Sequence, residues 1–150
     1  MVPLRDVLVE LLETTHDRQD WFVPLQAAIA GITPEQANWK DGRNHSIAEI
    51  VHHLVFWNQR HLDQFEGKRR SGAGDNDQTF EDSATWSEAV QRLDDVITRW
   101  VGAIKQTSDE HLASEASRIS HLAAHNAYHA GQILYIRKSQ GAWDPDKGVR

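Results

Sequence analysis

The sequence contains no cysteine. That absence excludes disulfides, thiolate metal ligands and a cysteine nucleophile together, so any thiol chemistry needs a thiol supplied from outside. No apolar run approaches the ~18 residues that a membrane-spanning helix requires, and Met1-Val-Pro-Leu-Arg-Asp6 lacks the basic-then-apolar order of a secretory signal. A cytoplasmic protein with no membrane partner is expected. Positive charge is scarce as well, with 16 Lys and Arg against 22 Asp and Glu and a formal net charge of −6. Non-specific nucleic-acid binding needs a basic face that displaces counterions, so nucleic acid is not expected as a partner. The single basic cluster, Lys68-Arg69-Arg70, runs into Ser71-Gly-Ala-Gly-Asp75-Asn-Asp77 and reads as part of a solvated loop.

Strand-like alternation is also missing, and what replaces it is helical periodicity. With 150 residues, 39% hydrophobic and 25% charged, residues 1–150 suit one compact domain that buries about 70% of the surface its unfolded chain would expose. Leu4, Val7, Leu8, Leu11 and Leu12 recur at three and four residues. The pattern resumes at Trp21, Phe22, Leu25 and Ile29, which predicts one long helix to Ala30, bent near Pro24, with Gly31 as its C-terminal stop. Thr33-Pro34-Glu35-Gln36 predicts a short capped turn. Ser46-Ile-Ala-Glu49 is a second capping box and opens a helix that carries Ile47, Ile50, Val51, Leu54, Leu62 and Phe65 on one face and ends near Gly67.

Residues 67–78 form the longest polar, glycine-containing stretch and read as a mobile connection. A third capping box, Thr85-Trp-Ser-Glu88, starts a helix with Trp86, Val90, Leu93, Ile97, Trp100 and Ile104 close to a heptad seam. Ser108-Asp-Glu-His111 suggests another short turn. A fourth long helix then follows through Ile119, Leu122, Ala123, Ala130, Ile133 and Leu134 to Gly141. Four long amphipathic helices predict an all-α four-helix bundle, a fold that builds its sites from side chains on facing helices.

Histidine is abundant, with nine residues. His121, His125 and His129 stand at strict four-residue spacing in the fourth helix. At this composition chance supplies about 0.5 such pairs but only about 0.03 uninterrupted triplets, so the triplet carries weight that a pair would not. Side chains four apart on a helix lie about 5–6 Å apart at Cβ, close enough for two imidazoles to share one ion. A tight site needs a third ligand from elsewhere, and the second helix offers His52, His53 and His61. At about 100° per residue His53 flanks the apolar stripe, His61 lies within it and His52 lies on the far flank. That geometry ranks His52 last and leaves His53 and His61 open.

Ser46-Ile-Ala-Glu-Ile-Val-His-His53-Leu-Val-Phe-Trp57, followed by His125-Asn-Ala-Tyr-His129-Ala-Gly-Gln132 and Arg137, resembles the DinB/YfiT superfamily of bacterial metal-binding four-helix bundles over nearly the whole chain. The resemblance implies one ligand at the histidine before Leu-Val-Phe-Trp, which is His53, and two more at His125 and His129. His52 is the rival by one residue of register, and His121 has no counterpart in the motif. Gly131 and Gln132 match the motif without being ligands. The resemblance further implies a divalent metal, zinc by default with nickel, iron or copper as alternatives. It implies either metal-dependent hydrolysis or transfer of a low-molecular-weight thiol such as bacillithiol or mycothiol to a small-molecule substrate. A non-catalytic, dimeric metal-binding bundle is the competing expectation.

His16, His45, His61 and His111 are not expected to carry chemistry, although His61 could touch a bound substrate. Gly131, in mid-helix, is expected to serve close packing. No Asp or Glu is placed by motif as a general base, and Ala124 and Asn126 around His125 rule out a His-Glu-x-x-His protease motif.

Overall fold

The computed structural model describes residues 1–69, 71–72 and 74–146. Arg70 of the basic cluster and Ala73 of the glycine-containing loop lie outside the described residues. The elements in chain order are α1 (Leu4–His16), α2 (Leu25–Ile29), α3 (Pro34–Asn38), α4 (Ile47–Phe65), a 3-10 turn (Asn76–Phe80), α5 (Trp86–Gln106) and α6 (Asp109–Ser139). The four long helices form the bundle: α4 packs on α5 and on α6, and α1 packs on the same two. No strand occurs among the described residues, and no helix among them is long and apolar enough to cross a membrane.

The starts of α3, α4 and α5 follow directly from sequence. Thr33, Ser46 and Thr85 each accept a hydrogen bond from the backbone N–H three residues on, while Gln36, Glu49 and Glu88 reach back to the N-cap amide. Each box satisfies two donors that helix geometry leaves without partners. At the other end, Gly67 and Gly141 have φ of 76° and 74°. In each case the next amide bonds back to a carbonyl of the last turn, Lys68 N–H to Asp63 O at 2.8 Å and Ala142 N–H to Arg137 O at 2.9 Å. A left-handed residue is required there, and glycine takes it without a Cβ penalty.

Two expected boundaries are corrected. The helix predicted from residue 4 to Ala30 is not continuous: α1 stops at His16 and the chain restarts helically at Leu25. Pro24 is extended (φ −71°, ψ 162°) and caps α2 from outside instead of bending a single helix. Its ring disfavours helical geometry at the preceding residue, and the polar run Asp17-Arg18-Gln19-Asp20 is exposed and brings no buried side chain to hold a helix across the break. Within α1, Leu4, Val7 and Leu11 are exposed, and Leu8 and Leu12 carry the burial. Conversely, the short turn expected at residues 108–111 is the first turn of α6. Ser108 caps it by accepting from His111 N–H at 3.2 Å, and Leu112 and Ile119 bury one side of an otherwise polar stretch. No glycine or proline interrupts residues 109–130, so nothing ends the helix there.

The core is aliphatic around one tryptophan. Trp100 is fully buried, and its indole N–H donates to the Asn58 carbonyl at 3.0 Å, which satisfies its one polar atom. Asn58 and Asn126 are the polar pair at the α4–α6 contact. Asn58 Nδ2 donates to Asn126 Oδ1 at 2.8 Å and Asn126 Nδ2 donates to Asn58 Oδ1 at 3.0 Å, with both residues 0% exposed. Arg137 is buried near the end of α6, where it donates to the carbonyls of Ala28 and Ala142 at 2.9 and 2.8 Å. It thereby ties α2 and the chain after α6 to the bundle.

Candidate metal centre

His53 projects from α4, about two turns after its cap, while His125 and His129 project from one face of α6. Register between the two helices brings the three rings together. His125 Nε2 lies 3.2 Å from His53 Nε2 and 3.1 Å from His129 Nε2. Their ligand-type atoms all lie within 4.8 Å of one another, and this is the one group of that kind among the described residues. His53 and His129 are buried and His125 is half-buried.

The outer nitrogens decide the tautomers. Thr79 Oγ1 is 2.6 Å from His53 Nδ1 and also 2.6 Å from the Asn76 carbonyl. A carbonyl can only accept, so the single hydroxyl proton goes to Asn76, and Thr79 must accept from His53 Nδ1–H. Gln132 Oε1, 2.7 Å from His129 Nδ1, likewise accepts from Nδ1–H, while its amide nitrogen donates to Tyr128 Oη at 3.1 Å. Both rings are therefore held as Nδ1–H tautomers with the Nε2 lone pairs facing the centre. This is the orientation that a ligating histidine takes when its other nitrogen is anchored.

Electrostatics keep those lone pairs free of protons. Burial first, and then the neighbouring His129, His125 and His45, push His53 down from 6.5 to about 4. Burial, followed by His129 and His61, pushes His125 down to about 4. Burial lowers His129 too, although its bond to Gln132 works the other way. Three imidazoles whose Nε2 atoms converge, two of them with the lone pair turned inward by an outer hydrogen bond, fit a single soft-to-borderline cation. The donor set suits a divalent ion held by nitrogen.

Around the cluster, Phe80 stacks on His53 with centroids 4.1 Å apart, and His45 stacks on the other face of Phe80 at 3.8 Å. The polar stretch expected to be a mobile connection thus leads into the 3-10 turn, which packs on α4 and supplies Thr79 and Phe80 to the site. A groove of about 620 Å³ opens beside His125, with Trp57, His61, Glu115, Arg118 and His121 on its walls. A second groove of about 600 Å³ runs past Gln132 and Tyr128 on the other side. A cavity of about 510 Å³ between α2 and α5, next to His16, shares no residue with the cluster.

Each histidine can now be placed. His53, His125 and His129 are brought together, while His52, His61 and His121 lie outside that group. His121 is exposed. His61 is half-buried against Trp57, with ring centroids 5.7 Å apart. His16 bonds Asp94 at 2.7 Å, and His111 Nε2–H donates to the Phe65 carbonyl at 2.9 Å, so both have structural partners. Sequence reasoning missed Thr79. No motif marks it, and only the fold brings its loop to His53, 26 residues away. Gly131 is a correction: a Cβ there would meet nothing within 4 Å, so close packing does not explain it.

Residues 24–133 match the family model of the DinB superfamily, a span that contains the three histidines, Thr79 and Gln132. The chain belongs to the DinB superfamily. No curated protein and no solved structure matches it.

Proposed function

We propose that His53, His125 and His129 hold one divalent metal ion and that the protein is a metal-dependent enzyme acting on a small molecule. The observation that carries this reading is the convergence of one ring nitrogen from each of three histidines within 4.8 Å, with two of the rings oriented by Thr79 and Gln132. Three protein donors beside an open groove suit a catalytic site better than a closed structural one, which takes four. Zinc is the default ion, with nickel, iron and copper compatible with the same donors.

The chain's own residues do the positioning. Thr79 and Gln132 orient the imidazoles, Phe80 covers His53, and burial keeps the ring nitrogens deprotonated at neutral pH. A divalent ion bound there supplies Lewis acidity to a water or an external thiol. Both hydrolysis and thiol S-transfer to an electrophile fit these parts, and the lack of cysteine makes an external low-molecular-weight thiol the thiol source in the second.

Metal analysis of protein purified without an affinity metal tests the site. Close to one equivalent is expected in the native chain and little in His53→Ala or His125→Ala, and undiminished metal in both variants overturns the assignment. Thiol-dependent consumption of a model electrophile, read against metal-stripped protein, tests the transferase chemistry. Equal rates in the two samples remove it.

A further inference from the structure

Gly131 sits inside α6, where glycine costs roughly 1 kcal/mol relative to alanine. It is exposed, and no neighbouring atom lies within 4 Å of the place a Cβ would take. Packing therefore gives no reason for it. Its surroundings on the open side do. Tyr128 and Tyr135, one turn before and one turn after on the same face, are 64% and 75% exposed. They and Gly131 line the groove of about 600 Å³, opposite Trp39 and Arg43.

Arg43 is exposed and makes no hydrogen bond or ion pair among the described residues. A free guanidinium matches a carboxylate in charge and in two-pronged geometry. Aromatic walls stack on planar rings, and a glycine lets such a ring come close to helix backbone that a side chain would cover. Asp41 lines the same groove and disfavours a second negative charge on the ligand. The groove also touches the histidine cluster: Tyr128 Oη accepts from Gln132, whose Oε1 holds His129. His45 of the groove stacks on Phe80, which stacks on His53.

We propose that this groove is a binding site for a planar aromatic monocarboxylate, its ring over Gly131 between Tyr128 and Tyr135 and its acid group on Arg43. The site needs no metal, so it stands apart from the reading of the three histidines.

The test is a titration of the metal-free 150-residue chain with 2-naphthoate, followed by amide NMR shifts. Saturable shifts concentrated at residues 41–45 and 128–135 are expected, with binding about tenfold weaker for uncharged 2-naphthalenemethanol. Arg43→Gln should erase that difference, because the charge it reads is gone. Gly131→Leu should block the groove and abolish the shifts while keeping the helical circular dichroism, and Gly131→Ala should retain part of the binding. Shifts scattered elsewhere, equal binding by Gly131→Leu, or equal binding of cyclohexanecarboxylate would each overturn the proposal. Shifts of the same amides that depend on protein concentration without ligand would assign the groove to a second copy of the chain, and would overturn it equally.

Discussion

Asn58 and Asn126 exchange two side-chain hydrogen bonds, at 2.8 and 3.0 Å, across the contact between α4 and α6. Asn126 is the neighbour of His125, and Asn58 lies five residues after His53, so this pair sets the register in which the three imidazoles meet. Asn58 Nδ2 also donates to Leu54 O, and its own backbone carbonyl accepts from Trp100. A slip of one helical turn would break both bonds of the pair and leave the buried Asn126 amide and the Asn58 side-chain carbonyl oxygen without these partners, at roughly 1–3 kcal/mol for each buried group.

Replacing either asparagine alone should therefore destabilise the fold by about 1–3 kcal/mol, because the remaining amide keeps its desolvation cost and loses its bonds across the α4–α6 contact. The double change Asn58→Leu with Asn126→Leu should cost less than the two single changes added together. Urea denaturation of the four proteins measures the coupling, and strict additivity would show that the pair does not act as a unit.

Thr79→Val removes the acceptor of His53 Nδ1–H with little change of shape. Metal affinity should fall by about 10- to 100-fold, the effect usual for losing the partner of a ligating histidine. Competition with a chelator of known affinity measures it. Thr14→Val offers a control, since that hydroxyl bonds only the local carbonyls of Glu10 and Leu11 within α1, away from the three histidines.

The pH dependence of stability follows from the same histidines. In the metal-free protein His53 and His125 titrate near 4 instead of 6.5. Between those values the unfolded chain binds more protons than the folded one, so stability rises with pH through this window. The contribution is complete above about 6.5 and is lost as pH falls toward 4. The urea midpoint should drop over that interval in the native chain and drop less in His53→Gln, and identical profiles would contradict the depressed values.

Ser46→Ala should loosen the first turn of α4, which carries His53 two turns further on. Loss of a capping side chain costs about 0.5–2 kcal/mol. Thermal unfolding reads the stability, and amide exchange should quicken at residues 47–50 without spreading to α5.

Legibility in the sequence varied with the range of the interaction involved. Capping boxes at Thr33, Ser46 and Thr85 and the stops at Gly67 and Gly141 were readable because each is completed within a few residues. The His125–His129 spacing was readable for the same reason. The break after His16 is not legible in the sequence because Leu25 and Ile29 continue a helical period across Pro24, and periodicity does not report whether the intervening polar run has anything to pack on. Continuity of α6 through residues 109–118 was missed for the converse reason: a mostly polar stretch stays helical when Leu112 and Ile119 are buried by the rest of the bundle.

The choice between His53 and His61 was open on helical angles alone, and the family motif pointed to His53. Thr79, Phe80 and the Asn58–Asn126 pair had no signal in sequence at all. They are single residues of ordinary types whose partners lie 26 to 68 positions away.

By itself the sequence determined an all-helical chain, the starts of three helices, the absence of thiol chemistry from its own side chains and two histidines on one helical face. Those properties depend on composition and on contacts within one or two turns. Tertiary structure alone decided which ring nitrogens face inward, which loop residue anchors His53 and which glycine lines a groove. Each of those outcomes depends on the register of α4 against α6 and on where the loop after α4 comes to rest, and register is set by buried polar groups that must find partners across the bundle.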